Sequence, residues 1–157
     1  MRSFIISIVF VSALFFSLSS GGADDLPVKF DPQRDAGKDL SLAIKMAGEA
    51  EKNILLDIGG NWCIWCRIME KWIEENKEVE SCLHDNFILL KINFSPENEN
   101  KEILSKFPKI EGYPHIFVLS SEGKLLHSQN TGLLENGKSY DKEKFLNFLK
   151  KWSPKKN

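Results

Sequence analysis

The apolar positions of this chain follow two spacings, continuous short runs and longer stretches with apolar residues at every third or fourth position. The continuous runs predict strands covered on both faces, at 54–58, 87–94 and 115–120. The longer spacing predicts helices over 35–52, 63–75, 101–107 and 141–152, with Asp35 as the N-cap of the first. A turn at 121–124 predicts a hairpin to 125–129, and the pattern at 28–30 predicts a weak short strand. Since strands alternate with helices before a closing hairpin and helix, the fold class is α/β with a central mixed sheet flanked by helices.

The first 23 residues differ from the rest of the chain. Arg2 is the one charge before an apolar run at 4–18, which is followed by small residues at 19–23. A positive start, an apolar run and a small-residue zone predict a secretory signal peptide, residues 1–23. Because a spanning helix needs about 20 apolar residues, an uncleaved membrane anchor is the less favoured alternative. We therefore expect a domain at 24–157 that is exported, in a bacterium to the periplasm, where disulfides persist.

Composition limits the number of domains, the kinds of partner and the number of disulfides. With 157 residues, 42% of them hydrophobic, the chain can form one domain with a substantial core. A formal net charge of −1 predicts no attraction to nucleic acid, and we expect a monomer without a cofactor or metal. Three cysteines allow one intramolecular disulfide at most, so the core and not a disulfide framework must hold the fold.

Two of the cysteines, Cys63 and Cys66, lie where a buried strand is followed by a helix. Cys63 then falls at the helix N-terminus, where free N–H groups and the positive end of the helix dipole stabilise a thiolate. Cys66 lies one turn further in and is expected to be less exposed to solvent. An exposed attacking thiol and a sheltered resolving thiol are what disulfide exchange requires.

Two other uses of the pair, a zinc site and a structural disulfide, remain open on the residues alone. A zinc site would need Cys82, His84 or His115 to complete its four ligands, because no second pair of closely spaced ligands is present. A structural disulfide would close a very small loop and constrain the unfolded chain little. Covalent haem attachment needs a histidine directly after the second cysteine, and that position is Arg67.

The chain from 35 to 152 resembles the thioredoxin-fold family, and in particular exported thioredoxin-like proteins with a W-C-x-W-C active site. Five elements carry the resemblance in order, and they are the motif W-C-I-W-C-R at 62–67, Asp57, Lys91, Tyr113-Pro114 and Gly132. The resemblance implies the thioredoxin fold and a redox-active disulfide formed by the two cysteines of the motif.

The resemblance also implies roles for the residues beneath the disulfide. Asp57 would be a buried acid with a pKa raised by desolvation, taking the proton of Cys66 as Cys66 attacks the mixed disulfide on Cys63. Lys91, on the next strand, would face Asp57 and moderate that shift.

Residues beside the disulfide would bind the substrate. Trp62 would form a platform, and a cis bond between Tyr113 and Pro114 would expose the Tyr113 backbone to an extended substrate strand. The positions between the cysteines, Ile64 and Trp65, carry no positive charge that would stabilise the reduced thiolate.

These features predict a thiol–disulfide oxidoreductase that exchanges disulfides with exported proteins, more as a reductase than as an oxidant. A membrane thiol donor would reduce its disulfide again after each reaction. Two alternatives remain, a non-catalytic thioredoxin-fold binding or chaperone module and a dedicated partner of one pathway such as cytochrome c maturation.

The third cysteine, Cys82, is expected to be a buried thiol that takes no part in exchange, because Val79, Leu83 and Phe87 share its segment. His115 is expected to be structural and His127 to lie on the surface.

Overall fold

A computed structural model describes residues 25–155 of the chain. The predicted signal segment at 1–23 lies outside these described residues. The elements in chain order are α1 (Ala36–Ala50), β1 (Asn53–Gly59), α2 (Ile64–Glu75), α3 (Lys77–Asn86), β2 (Phe87–Asn93), α4 (Lys101–Leu104), β3 (His115–Leu119), β4 (Leu125–Asn130), a 3-10 turn (Thr131–Leu134), β5 (Glu135–Asn136), β6 (Ser139–Tyr140) and α5 (Lys142–Trp152).

The central sheet has four strands in the order β2-β1-β3-β4. β1 and β2 run parallel, as the helical crossover between them requires, while β3 is antiparallel to both β1 and β4. The predicted α/β class with a mixed sheet flanked by helices is therefore confirmed. The register places Asp57 of β1 directly opposite Lys91 of β2 and Ile116 of β3.

Alternate residues of β1 enter two different cores, one on each face of the sheet. Ile54, Leu56 and Ile58 pack with the small residues of α1. Leu55 packs on the opposite face with Met69 of α2 and with residues of α3 and α5. Because side chains alternate along a strand, Asp57 points to the same face as Leu55, beneath α2.

Local capping explains where three helices begin. The side chain of Asp35 accepts hydrogen bonds from Gly37 N and Lys38 N, as the sequence predicted for the first helix. Asp141 caps α5 through Lys144 N in the same way. At α2 the capping residue is Cys63 itself.

Some predicted elements differ in the structure. Residues 28–30 form no strand, because Pro27 and Pro32 flank them and no neighbouring strand pairs with them. The helix predicted over 101–107 ends at Leu104. The segment after α2 forms a helix of its own, α3, and a two-stranded hairpin of β5 and β6 follows the 3-10 turn that contains Gly132. Within residues 25–155, no helix combines the length and hydropathy needed to cross a membrane.

Candidate active site

Cys63 and Cys66 form a disulfide at the N-terminus of α2. Cys63 Sγ accepts a hydrogen bond from Cys66 N at 3.1 Å, so a sulfur atom takes the capping position that a Ser or Asp oxygen often takes. This contact directs a backbone N–H group of the first helical turn at the Cys63 sulfur. The arrangement matches the predicted junction of strand and helix.

Both cysteines are buried in this disulfide-bonded form. Cys63 is 3% exposed and Cys66 is 2% exposed. Cys66 is sheltered as expected, but the expectation of an exposed Cys63 is wrong here. The physical reason is a cover of aromatic side chains, since Phe30, Trp65 and Tyr113 pack with the two cysteines. Trp65 belongs to the motif itself and Tyr113 to its predicted surroundings, whereas Phe30 comes from the segment before α1.

Two consecutive glycines make room for the site. A Cβ atom on Gly59 would lie 2.5 Å from Cys66 Sγ and 3.0 Å from Cζ of Phe30. A Cβ atom on Gly60 would lie 2.5 Å from Nε1 of Trp62 and 2.8 Å from the carbonyl oxygen of Phe94. The end of β1 therefore approaches the disulfide and the Trp62 ring more closely than any residue with a side chain could.

Asp57 lies beneath this arrangement. Its side chain is buried, and Oδ1 has no hydrogen-bond partner among the described residues. Burial raises the pKa of Asp57 to about 7, the positive charge of Lys91 opposes the rise and the negative charge of Glu70 adds to it. Since Asp57 and Gly59 lie two residues apart on one strand, they point to the same face as Cys66 Sγ.

Lys91 is buried as well, and its ammonium group lies near two carboxylates. Its Nζ lies 4.0 Å from Asp57 Oδ2 and donates a hydrogen bond to Glu70 Oε1 at 2.7 Å. Lys91 lies opposite Asp57 as predicted, whereas Glu70 was not among the predicted site residues. Its position four residues after Cys66 on the same helix is the signal that could have located it, because residues four apart share a helix face.

The residues predicted to bind substrate form one surface beside the disulfide. Trp62 is 53% exposed, and its Nε1 donates to the carbonyl oxygen of Phe94 at 2.6 Å. The Trp62 and Tyr113 rings form a T-shaped pair, and the Tyr113 ring stacks on Phe94. The Tyr113–Pro114 peptide bond is cis, and Thr131 Oγ1 donates to the Pro114 carbonyl oxygen at 2.6 Å.

The remaining predicted residues lie elsewhere. Cys82 is half-buried on α3, so the expectation of full burial is wrong, and partial burial raises the pKa of its thiol. His115 is buried and its Nε2 lies 2.9 Å from Ser128 Oγ, and burial lowers the pKa of this ring. His127 lies partly buried against Trp152, with ring centroids 4.6 Å apart, and not free on the surface. Across residues 25–155, no three His, Cys, Asp or Glu side chains come together as metal ligands.

Comparison with known proteins gives consistent relatives. A family model described as Thioredoxin-like matches residues 35–121. The thiol:disulfide interchange protein DsbD of Actinobacillus pleuropneumoniae is 27% identical over 106 residues, which cover 67% of this chain and 17% of that protein. DsbD of Pseudomonas fluorescens is 30% identical over 92 residues, 58% of this chain and 15% of that protein. The chain thus spans less than a fifth of the length of these curated relatives.

Two solved structures share the architecture. The disulphide isomerase of Xylella fastidiosa Temecula1 is 27% identical with a TM-score of 0.67, and the match covers 82% of this chain and 98% of that one. The C-terminal domain of Neisseria meningitidis DsbD, in its oxidised form, is 21% identical with a TM-score of 0.57, covering 79% and 98% of the two chains, and supports the fold alone. On the family match, the fold and the CxxC disulfide, the chain belongs to the thioredoxin-like family and is a thiol–disulfide oxidoreductase.

Proposed function

We propose that this oxidoreductase reduces disulfides in exported proteins, with Cys63 as the attacking sulfur and Cys66 as the resolving sulfur. The observation that carries the proposal is the acid with a pKa of about 7 beneath a disulfide whose first sulfur caps a helix. An acid that titrates near neutral pH can both accept and return a proton under the conditions in which the protein works.

The first step starts from the reduced protein. Cys63 thiolate, stabilised by the N-terminus of α2, attacks one sulfur of a client disulfide. A bond forms between Cys63 and that sulfur, the client disulfide breaks, and the departing client cysteine carries away the electron pair. The product is a mixed disulfide between Cys63 and the client.

The second step releases the client. Cys66 gives its thiol proton to the Asp57 carboxylate, and the resulting thiolate attacks Cys63 Sγ. The mixed disulfide breaks, the second client cysteine leaves with the electron pair, and the intramolecular disulfide forms. The client is then reduced by two electrons and this protein is oxidised by two, so a dithiol donor must reduce it again. We assign that role to a membrane thiol donor.

The client is proposed to bind beside Trp62. A groove of about 840 Å³ runs along this side of the molecule, and its lining includes Asn61, Trp62, Phe94 and Pro96. The exposed side chains of Trp62 and Ile64 add apolar area next to the disulfide. An extended client strand that pairs with the Tyr113 backbone before Pro114 would place its own sulfur over Cys63.

The residues between the cysteines support the proposed direction of electron flow. Ile64 and Trp65 hold no positive charge that would favour the reduced form as strongly as in an oxidant of this fold. We therefore expect a redox potential closer to that of thioredoxin, about −270 mV, than to that of protein disulfide isomerase, about −180 mV.

The proposed export rests on the pattern of residues 1–23, which supports a periplasmic location and the domain at 24–157.

Trapping tests the proposal directly. Cys66→Ala removes the resolving sulfur, so client proteins should accumulate as mixed disulfides on Cys63 and separate on non-reducing gels. The control is the double variant Cys63→Ala, Cys66→Ala, which should trap nothing. If Cys66→Ala traps nothing while Cys63→Ala does, the two cysteines have the opposite roles. One dominant client would identify a dedicated pathway, and a spectrum of clients a general reductase.

A further inference from the structure

Residues 25–34, here called the strap, run across the molecule before α1 without forming a helix or strand. Side chains of the domain hold the strap. Asn61 Nδ2 donates to the carbonyl oxygen of Phe30 at 3.2 Å, and Asn98 Nδ2 donates to that of Pro32 at 2.9 Å. Arg34 pairs with Asp39 at the start of α1. The strap is therefore held by polar side-chain contacts and not by pairing with a strand of the sheet.

One residue of the strap is placed differently from its neighbours. Phe30 is 7% exposed, whereas Val28, two residues earlier, is 81% exposed. The Phe30 ring packs with Cys63 and Cys66 and lies over Gly59, where a Cβ atom would be 3.0 Å from its Cζ atom. Cys66 Sγ lies over the same glycine, so the ring and the resolving sulfur are neighbours.

The Phe30 ring also contacts the charged pair beneath the site. Lys91 Nζ lies 5.0 Å from its centroid, within the range of a cation–π interaction. The ring thus lies between solvent on one side and Cys66 and Lys91 on the other. No other aromatic residue of the strap lies near these groups, since Phe30 is the one aromatic residue of 25–34.

We propose that Phe30 is a positioning residue of the exchange reaction, whose ring closes the Cys66 side of the disulfide so that an incoming thiolate reacts at Cys63, and keeps water from the Asp57–Lys91 pair. That Cys63 is the reacting sulfur rests on the proposed function. The closure of Cys66 and of Asp57 does not.

The ring acts by excluding attack from one side. A thiolate from the donor must approach a sulfur atom with room to form the new bond while the old one breaks. When it attacks Cys63 Sγ, the disulfide breaks, the electron pair goes to Cys66 Sγ, and the proton of Asp57 neutralises Cys66. Attack at Cys66 would need the space that Phe30 fills. Without the ring, both sulfurs would become available and the order of the two steps would be lost.

The ring acts on the proton acceptor as well. The charged and titratable groups that act on Asp57 are Lys91 from β2, Glu70 from α2 and, at longer range, Tyr140 from β6. Desolvation is the largest cause of the raised pKa of Asp57, so water admitted through the space left by Phe30 would lower that pKa.

Single-cysteine variants separate the two sulfurs without any client. In a Cys63→Ser background, the rate at which iodoacetamide labels Cys66 should rise at least about tenfold on Phe30→Ala. In a Cys66→Ser background, labelling of Cys63 should change by less than about threefold. Phe30→Leu, which keeps an apolar side chain over the sulfur, should give a smaller rise at Cys66, and Val28→Ala on the same strap should give none.

The carbon-13 chemical shift of the Asp57 carboxyl, followed against pH in the oxidised full chain, gives the titration midpoint of Asp57. This midpoint would not change if Phe30 had only a structural role. Phe30→Ala should lower the titration midpoint by about one pH unit, and Val28→Ala should leave it unchanged. Equal acceleration at both cysteines, or an unchanged Cys66 rate with an unchanged Asp57 midpoint, would overturn the assignment of Phe30. Neither measurement depends on finding a client. The trapping experiment could therefore contradict the proposed function while the role of Phe30 stands, and the Phe30 variants could contradict that role while the proposed function stands.

Discussion

Lys91 Nζ lies 2.7 Å from Glu70 Oε1 but 4.0 Å from Asp57 Oδ2, although Asp57 is the residue directly opposite it in the sheet. The lysine therefore makes its hydrogen bond to the partly exposed carboxylate of α2 and compensates the buried one only through space. Burial then dominates the environment of Asp57, which is why its pKa rises to about 7 instead of falling as in a close ion pair.

Removing the charge of Glu70 should lower the pKa of Asp57. Glu70→Gln removes a negative charge that favours protonation of Asp57, and it frees Lys91 to approach Asp57 more closely. The carboxyl titration of Asp57 and the pH midpoint of mixed-disulfide resolution should both move to lower pH. Glu75→Gln, on the same helix and paired with Lys71 on the surface, is the matched control and should move neither. An unchanged Asp57 midpoint in Glu70→Gln would mean that the charge of Glu70 does not influence the acid.

Replacing the acid itself should slow the second chemical step more than the first. Asp57→Asn keeps the shape of the side chain but cannot take the proton of Cys66. In stopped-flow exchange with a model disulfide, we expect formation of the mixed disulfide to stay within a few-fold of wild type and resolution to fall by about 10²-fold or more, the usual contribution of a general base. Resolution that is unchanged between pH 6 and 8 would reduce Asp57 to a structural acid.

The same substitution should stabilise the protein in a pH-dependent way. The pKa of Asp57 is raised in the folded state from 3.8 to about 7, so between these values the folded state holds a proton that the unfolded state has lost. The contribution of Asp57 to stability therefore falls as pH rises from about 4 to about 7. Asp57→Asn removes this loss.

Urea unfolding of the oxidised protein measures the effect. The stability advantage of Asp57→Asn over wild type should grow between pH 4 and 7 and level off above pH 7. An advantage that is constant over this range, or that grows as pH falls, would contradict the raised pKa.

Gly59 should tolerate no side chain, because its Cβ position lies 2.5 Å from Cys66 Sγ. Gly59→Ala should force the disulfide or the strand end to shift, which we expect to cost about 1–3 kcal/mol as overpacking of a buried site does. Gly48→Ala is the control within α1, where a Cβ atom meets nothing within 4 Å, and it should stabilise the helix by up to about 1 kcal/mol. Thermal unfolding of both oxidised variants decides between these outcomes, and equal melting temperatures would contradict the close approach.

Cys82 should have no part in exchange. It is half-buried on α3, and burial raises the pKa of its thiol, so little reactive thiolate is present at neutral pH. Cys82→Ser should leave turnover and redox potential unchanged within measurement. Because the thiol is only partly covered, a disulfide-linked dimer on non-reducing gels is the sensitive check. Such a dimer, absent in Cys82→Ser, would make Cys82 a third redox centre.

Much of this architecture could be predicted from local patterns. The strands β1, β2 and β3 follow continuous apolar runs, and the helices α1, α2 and α5 follow apolar spacings, with aspartate caps at the starts of α1 and α5. These patterns depend on neighbours in the chain, so they predict the element and its buried face without knowledge of the fold. The junction that places Cys63 at a helix N-terminus is local for the same reason.

The tertiary structure decided which distant residues meet at the site. Phe30 belongs to a segment without regular structure, and nothing in its immediate sequence indicates that its ring covers Cys66. The preference of Lys91 for Glu70 depends on how α2 packs across β2, and the half-burial of Cys82 depends on how α3 lies against α5. Burial, pKa and access of the two cysteines are set by contacts between residues far apart in the chain, and such contacts exist only once the layers have packed.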